Sequence, residues 1–367
     1  MRSRRFGSRR RVAMPVVLAT VITMALVWLA VDGLFTTSRQ LSDAPSIALG
    51  QTPAPIPATP VATAAPEPPL VAWHGPVEGL FVHPLVLEPQ LAFTSDRLGQ
   101  GFRDYFVTAR EFRAMLEQLW RNGWTLVDAH RAALGQVRVP VGRRPLVLSE
   151  DDVNYYAYFA GRGLASRLVL DGQGEVKAEY DDGTGPRLTD QDVVPLVEAA
   201  VARHPELSAD GAKGVIAVTG YEGLLGEHDL TDPATRARVA AVAARLREAG
   251  WTFASHTFGH IDLSRASVRT ATRDTSRWAA LVGDLLGPVD TLIYPFGARP
   301  TVAVRRVLRD AGFTIQLDID IRAHRQNVDG VVVMSRRHVD GLAFANPRRL
   351  AQFLDVERVR DPARPRG

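Results

Sequence analysis

The sequence contains no cysteine. That absence excludes a disulfide framework and a thiolate centre, and it leaves histidine, aspartate and glutamate as the side chains able to hold a metal. An oxidising compartment stays open to such a chain. Net positive charge is confined to one tail: the formal net charge is +4, yet Arg2, Arg4, Arg5, Arg9, Arg10 and Arg11 together exceed it, so the remainder is net negative. The elevated isoelectric point therefore describes a short tail rather than a nucleic-acid groove, and no nucleic-acid partner is expected. Internal repeats are absent too, which excludes a solenoid or propeller.

What is present begins with one long apolar run. Residues 12–31, "VAMPVVLATVITMALVWLAV", carry no charge, and at about 1.5 Å per residue they span roughly 30 Å, the thickness of the hydrocarbon core. Six arginines precede the run and only Asp32 and Arg39 follow closely, so a single-pass membrane anchor with its positive end in the cytoplasm is expected. The alternative is a cleaved signal peptide; the run exceeds the usual apolar length of one, and Trp28 spoils a small-residue cleavage site ending at Ala30. Residues 43–70 hold eight prolines and favour extended polyproline conformations, with a reach of roughly 85 Å.

At 367 residues the chain suits one large domain with extra segments. From about residue 72, short apolar runs alternate with amphipathic stretches, the pattern of a parallel α/β architecture. Thr108 with Glu111 three positions on predicts a capped helix, with Phe112, Met115, Leu116, Leu119 and Trp120 at helical spacing. "WTLVDA" reads as a strand. "RPLVLS" (144–149) reads as a strand buried on both faces that delivers Glu150, Asp151 and Asp152 at its end. Residues 234–248 predict a helix, "WTFAS" the strand that delivers His256, and 263–286 mostly helix. "VDTLIYP", "TVAVRRVLRDAG" and "FTIQLDID" follow as strand, helix and strand. Serial strand–helix units suggest a barrel. The hundred or so residues between Asp152 and His256 exceed one βαβ unit, so an insertion is expected at about 157–230, with a helix near 189–203. The last residues, "DPARPRG", read as a frayed tail.

His256 and His260 are four apart in "SHTFGH", which puts both imidazoles on one face if a helix starts there. Structural pairs and helix caps share that spacing. A second polar cluster, "SEDD" (149–152), ends a buried strand, where barrel enzymes collect catalytic groups. The two acids can converge only if the strand terminates between them. Two histidines with one aspartate leave a zinc ion open positions for water and a carbonyl.

Together these motifs resemble the polysaccharide deacetylases with the NodB homology domain, carbohydrate esterase family 4. "SEDD" is similar to that family's Thr-Phe-Asp-Asp motif, "SHTFGH" to its His-Ser/Thr-x-x-His motif and "YPFG" (294–297) to its Arg-x-Pro-x-Gly segment, in the same order. The resemblance spans about residues 100 to 345. It implies a distorted (β/α) barrel of NodB type with an insertion after the first motif. It also implies that Asp152, His256 and His260 bind a divalent metal, zinc first, with cobalt, nickel or manganese as alternatives. Asp151 would be the general base and the backbone N–H of Phe296 part of an oxyanion hole. The acid that protonates the leaving amine would be His338, with His324 as the alternative.

This sequence departs from the family pattern in three places. Glu150 stands where an aromatic precedes the acid pair, and Ile293 where an arginine tethers the base, a role Arg299 or Arg337 could fill. The acid of the fourth motif is Asp318 or Asp320. Asn154, Tyr155, Tyr156, Tyr221, Glu222 and Tyr294 are candidates to line the sugar site. The expected plan is a basic tail (1–11), an anchor (12–31), a Pro/Ala-rich linker (32–71), the catalytic domain (72–355) and a tail (356–367). The expected activity is hydrolysis of N-acetyl groups on a cell-wall or extracellular polysaccharide by a membrane-tethered, outward-facing enzyme. A glycan-binding module without turnover and a metallohydrolase for another acyl group are the alternatives.

Overall fold

Seven short apolar runs build the frame: β1 (Glu78–Val82), β2 (Arg144–Glu150), β3 (Gly214–Val218), β4 (Trp251–Ser255), β5 (Thr291–Ile293), β6 (Ile315–Ile319) and β7 (Val331–His338). Each pairs in parallel with the next, and β7 returns to β1 with His338 opposite Phe81, so the sheet closes into a barrel. The computed structural model describes residues 69–365. The expected anchor 12–31, and the linker 32–71 except its last three residues, lie outside the described residues. Among the described residues no helix is long and apolar enough to cross a membrane.

Strand alternation sorts the apolar residues into two cores. Leu146, Leu148, Ile216, Val218, Phe253 and Leu292 pack outward with helix residues such as Phe112, Leu116, Val242 and Leu308. Their neighbours Val147, Val215, Ala217, Ala254 and Ile293 pack with Leu317 and Met334 in the lumen. Following the same parity toward the strand ends, the lumen side turns polar with Ser149, Asp151, His256 and Arg336, all buried. The C-terminal end of a parallel barrel is where loops can bring such groups together.

The helices follow local signals. In α1 (Ala109–Arg121) Thr108 and Glu111 form the expected reciprocal capping box, and α3 (Pro233–Glu248) starts with Asp232 as cap and Pro233 in the first turn. The run "WTLVDA" yields only Trp124–Leu126, which pairs with the start of β2 outside the closed ring.

Two expectations are corrected. The insertion placed at 157–230 contains a barrel strand, β3, whose "GVIAV" is a short run without period, legible only once it sits between β2 and β4. The added structure lies between β2 and β3: a three-stranded antiparallel sheet (Arg167–Leu170, Val176–Asp181, Pro186–Thr189) and α2 (Val193–Arg203). The C-terminal segment is docked, not frayed, as far as Arg364. Glu111 is fully buried, and Arg364 supplies its counter-charge with bonds of 2.7 Å to both carboxylate oxygens while also donating to the carbonyls of Arg103 and Phe106.

Candidate active site

The strand carrying the acids ends at Glu150, and Asp152 adopts a left-handed backbone, φ 62. That turn brings Asp152 back toward the lumen side beside Asp151. Its Oδ1 lies 3.6 Å from His260 Nε2 and 3.9 Å from His256 Nε2, and one ligand atom from each of the three residues falls within 4.8 Å of the others. The expected donor set therefore converges.

No helix carries the two histidines. Helix α4 (Val268–Trp278) starts later, and residues 256–260 form a loop in which Thr257 has φ 60 and His260 φ 50. Each such non-glycine residue costs roughly 1–3 kcal/mol and persists only where its surroundings impose it. The imidazoles meet because the loop doubles back, not because of helical spacing.

Electrostatics favour the ligand forms. Burial alone would raise the Asp152 carboxyl, but the imidazoles of His260, His256 and His83 and the Tyr156 hydroxyl outweigh it and hold the group down to about 2. Burial, only partly offset by Asp152, lowers His260 to about 4. The site thus holds an anionic carboxylate and a neutral His260 at neutral pH. His256 Nδ1 lies 3.0 Å from the Ile293 carbonyl, a bond that places the proton on Nδ1 and leaves the Nε2 lone pair facing Asp152.

Asp151 points into the lumen and meets Arg336 at 2.7 Å, both side chains almost wholly buried. Arg336 also donates to Ser149 Oγ at 2.8 Å and lies over the Phe81 ring. This corrects the expected tether. Arg337, one residue on, points to the other side of β7 and pairs with Glu78 at 3.2 Å, while Arg299 pairs with Asp318 at 2.7 Å and reaches Asp320 at 3.3 Å.

No protein-family model matches the sequence, and no curated protein matches it. Solved structures do. The Streptococcus pyogenes deacetylase PplD in complex with acetate is 14% identical over 77% of this chain and 99% of that one, with a TM-score of 0.48. A polysaccharide deacetylase from Bacillus cereus is 15% identical over 76% and 69%, with a TM-score of 0.45. IcaB from Ammonifex degensii is 16% identical over 76% and 97%, also with a TM-score of 0.45. The likeness to these three is one of fold at low sequence identity.

The remaining expected residues divide by what they touch. Tyr156 donates to Asp152 Oδ1 at 2.7 Å and stacks between Tyr158 and Tyr221. Phe296, half exposed with φ 59, sets its ring edge-on to His260 at 4.5 Å. Asn154 is fully buried and spends its amide on the Gly223 carbonyl and the Thr219 N–H; Tyr155 is buried with its hydroxyl on Asp192, and Tyr294 is buried with its hydroxyl on Gln316. These three hold the frame and cannot line a sugar cleft as expected. Glu222 is likewise buried, with one carboxylate oxygen on the Ala157 N–H. Glu150 faces the outer layer, opposite to Ser149 and Asp151. Burial, then the charges of Asp192 and Asp151, push its carboxyl well above the usual range.

Of the two proposed acids, His338 turns its Nδ1 to Asp340 at 3.2 Å and packs on Phe81, and His324 faces Asp318 at 3.3 Å. His83, by contrast, is an electrostatic neighbour of both Asp152 and His260. Its Nε2 lies 3.9 Å from Asp152 Oδ2, and its Nδ1 is anchored 3.0 Å from the Tyr105 carbonyl. Sequence reasoning missed His83 because β1, which delivers it, is a five-residue run with no motif around it.

Proposed function

We propose that the chain is a metal-dependent hydrolase that removes N-acetyl groups from amino sugars of a cell-wall or extracellular polysaccharide. The observation that carries this reading is the convergence of Asp152, His256 and His260 beside a second, arginine-paired carboxylate, Asp151, at the C-terminal end of the barrel. The donor set fits a divalent cation: one anionic carboxylate, two imidazoles, one with its tautomer set by a carbonyl, and no thiolate in the chain. Zinc suits such a set best, and cobalt, nickel and manganese share its ligand preferences. Bound there, the cation supplies a Lewis acid that polarises the acyl carbonyl and acidifies water.

The chain's own groups divide the proton work. Asp151 accepts the proton of the attacking water, and Arg336 keeps its carboxylate oriented while that proton arrives. Water oxygen joins the carbonyl carbon, the carbon–nitrogen bond breaks, acetate leaves, and the departing amine takes a proton. His83 is the group placed to give that proton from Nε2 when its ring is doubly protonated, since its Nδ1–H is held on the Tyr105 carbonyl and its Nε2 faces Asp152. The Phe296 N–H, which the motif resemblance assigns to the developing oxyanion, belongs to the residue whose ring covers His260. The N-acetyl substrate class rests on the motif resemblance. The charge-free run behind six arginines supports a single-pass anchor with the barrel outside, tethered by residues 32–71.

The test is mass analysis of chitooligosaccharides and peptidoglycan fragments after incubation with the full chain and added zinc or cobalt. Loss of one acetyl mass per sugar is expected, abolished in Asp151→Asn, with reduced metal content in His256→Ala. Full activity in Asp151→Asn would remove the base assignment. Cation binding without acetate release would leave a glycan-binding module, and release from O-acetyl substrates alone another acyl hydrolase.

A further inference from the structure

The loop between β4 and α4 presents a problem of preorganisation. Both imidazoles hang on five residues, two of which, Thr257 and His260, sit in the left-handed region without being glycine. Something outside the loop must impose that path.

The structure shows what does. Asp274, in the middle of α4, accepts from Phe258 N–H at 2.7 Å through Oδ1 and from Gly259 N–H at 2.9 Å through Oδ2. One carboxylate therefore grips two successive backbone amides that lie between the two histidines. Arg277, one turn further along α4, lies 4.1 Å over the Phe258 ring and presses the same segment onto the helix. Within the loop, Thr257 Oγ accepts from Ile261 N–H at 3.0 Å and Ser255 Oγ from Thr257 N–H at 3.2 Å. A β-carbon at Gly259 would stand 3.3 Å from Asp274 Oδ2, so a larger residue there would make the carboxylate give by a few tenths of an ångström. Asp274 makes no hydrogen bond or ion pair to either histidine ring or to Asp152.

We infer that Asp274 is a positioning residue of the metal centre: its carboxylate sets the separation of His256 and His260 by holding the peptide between them against α4. The inference rests on the reading of Asp152, His256 and His260 as a metal site. It explains why an acid, not an amide, stands there. Both oxygens accept, so an asparagine of the same shape would turn an N–H₂ toward a backbone N–H, lose one bond and push the loop off the helix. His260, at the far end of the gripped segment, would then leave its place opposite Asp152 while β4 keeps His256 in register.

The experiment is a cobalt titration of the metal-free full chain followed by visible absorption, with zinc competition for affinity, on wild type, Asp274→Asn and Asp274→Ser. Circular dichroism and the urea midpoint of each metal-free protein are measured beside it. Loss of a partner that orients a metal ligand weakens binding about 10–100-fold, so a drop of that size with an altered cobalt spectrum is expected in folded variants. Asp274→Ser, smaller and with one acceptor, keeps the result readable if Asp274→Asn does not fold. Wild-type affinity and spectrum in either folded variant overturn the inference, even if its urea midpoint falls. Absence of cobalt binding by wild type instead removes the metal reading itself, and this inference with it.

Discussion

Arg336 and Asp151 offer a test that does not depend on substrate. They form an ion pair at 2.7 Å with side-chain exposures of 1% and 4%. Removing one partner of such a pair leaves a buried charge uncompensated, at about 3–5 kcal/mol. Replacing Arg336 with methionine also removes the bond to Ser149, about 1 kcal/mol, and the stacking on Phe81, about 0.5–2 kcal/mol. Arg336→Met should therefore lose about 4.5–8 kcal/mol, and Asp151→Asn, which strands the guanidinium, about 3–5 kcal/mol. The double variant contains neither charge, so it should be no less stable than the worse single one, a coupling of about 3 kcal/mol. Urea unfolding of the full chain, followed by tryptophan fluorescence, measures all four corners of the cycle. Losses that add to within about 0.5 kcal/mol would refute the pairing and, with it, the tether of the proposed base.

Arg364→Ala should lower stability by about 3–5 kcal/mol, because Glu111 remains buried without its guanidinium; an unchanged urea midpoint would mean the C-terminal segment does not dock. Asp96 caps the helix Arg97–Tyr105, where the Gly99 amide and then Arg162 hold its carboxyl down to about 2, below its ordinary 3.8. A depressed acid stabilises the fold fully above the unfolded value and loses that contribution as pH falls through the folded one. Circular dichroism against pH should accordingly show a flatter acid limb for Asp96→Asn than for wild type between about pH 4 and 2, and superimposable limbs would count against the cap.

The sequence by itself determined whatever depends on neighbours along the chain. The capping box at Thr108 and Glu111, the helix behind Asp232 and the doubly buried run of β2 are set by local hydrogen bonding and period, and the structure has them in place. The donor set Asp152, His256 and His260 was named through the motif resemblance and converges in the structure, although by a loop that doubles back and not by the helical spacing of His-x-x-x-His. Other features were decided by the tertiary structure alone. Which arginine meets Asp151 turns on strand parity: a single step along β7 moves the guanidinium from the lumen to the opposite face, so Arg336 pairs and Arg337 does not. His83 and Asp274 carry no motif, and they matter because barrel closure and helix docking bring them to loops distant in the chain. Arg364 binds Glu111 across 253 residues. A pattern in the chain can record the geometry of one element, but a contact between elements depends on faces and registers that are set only when the ring of strands closes.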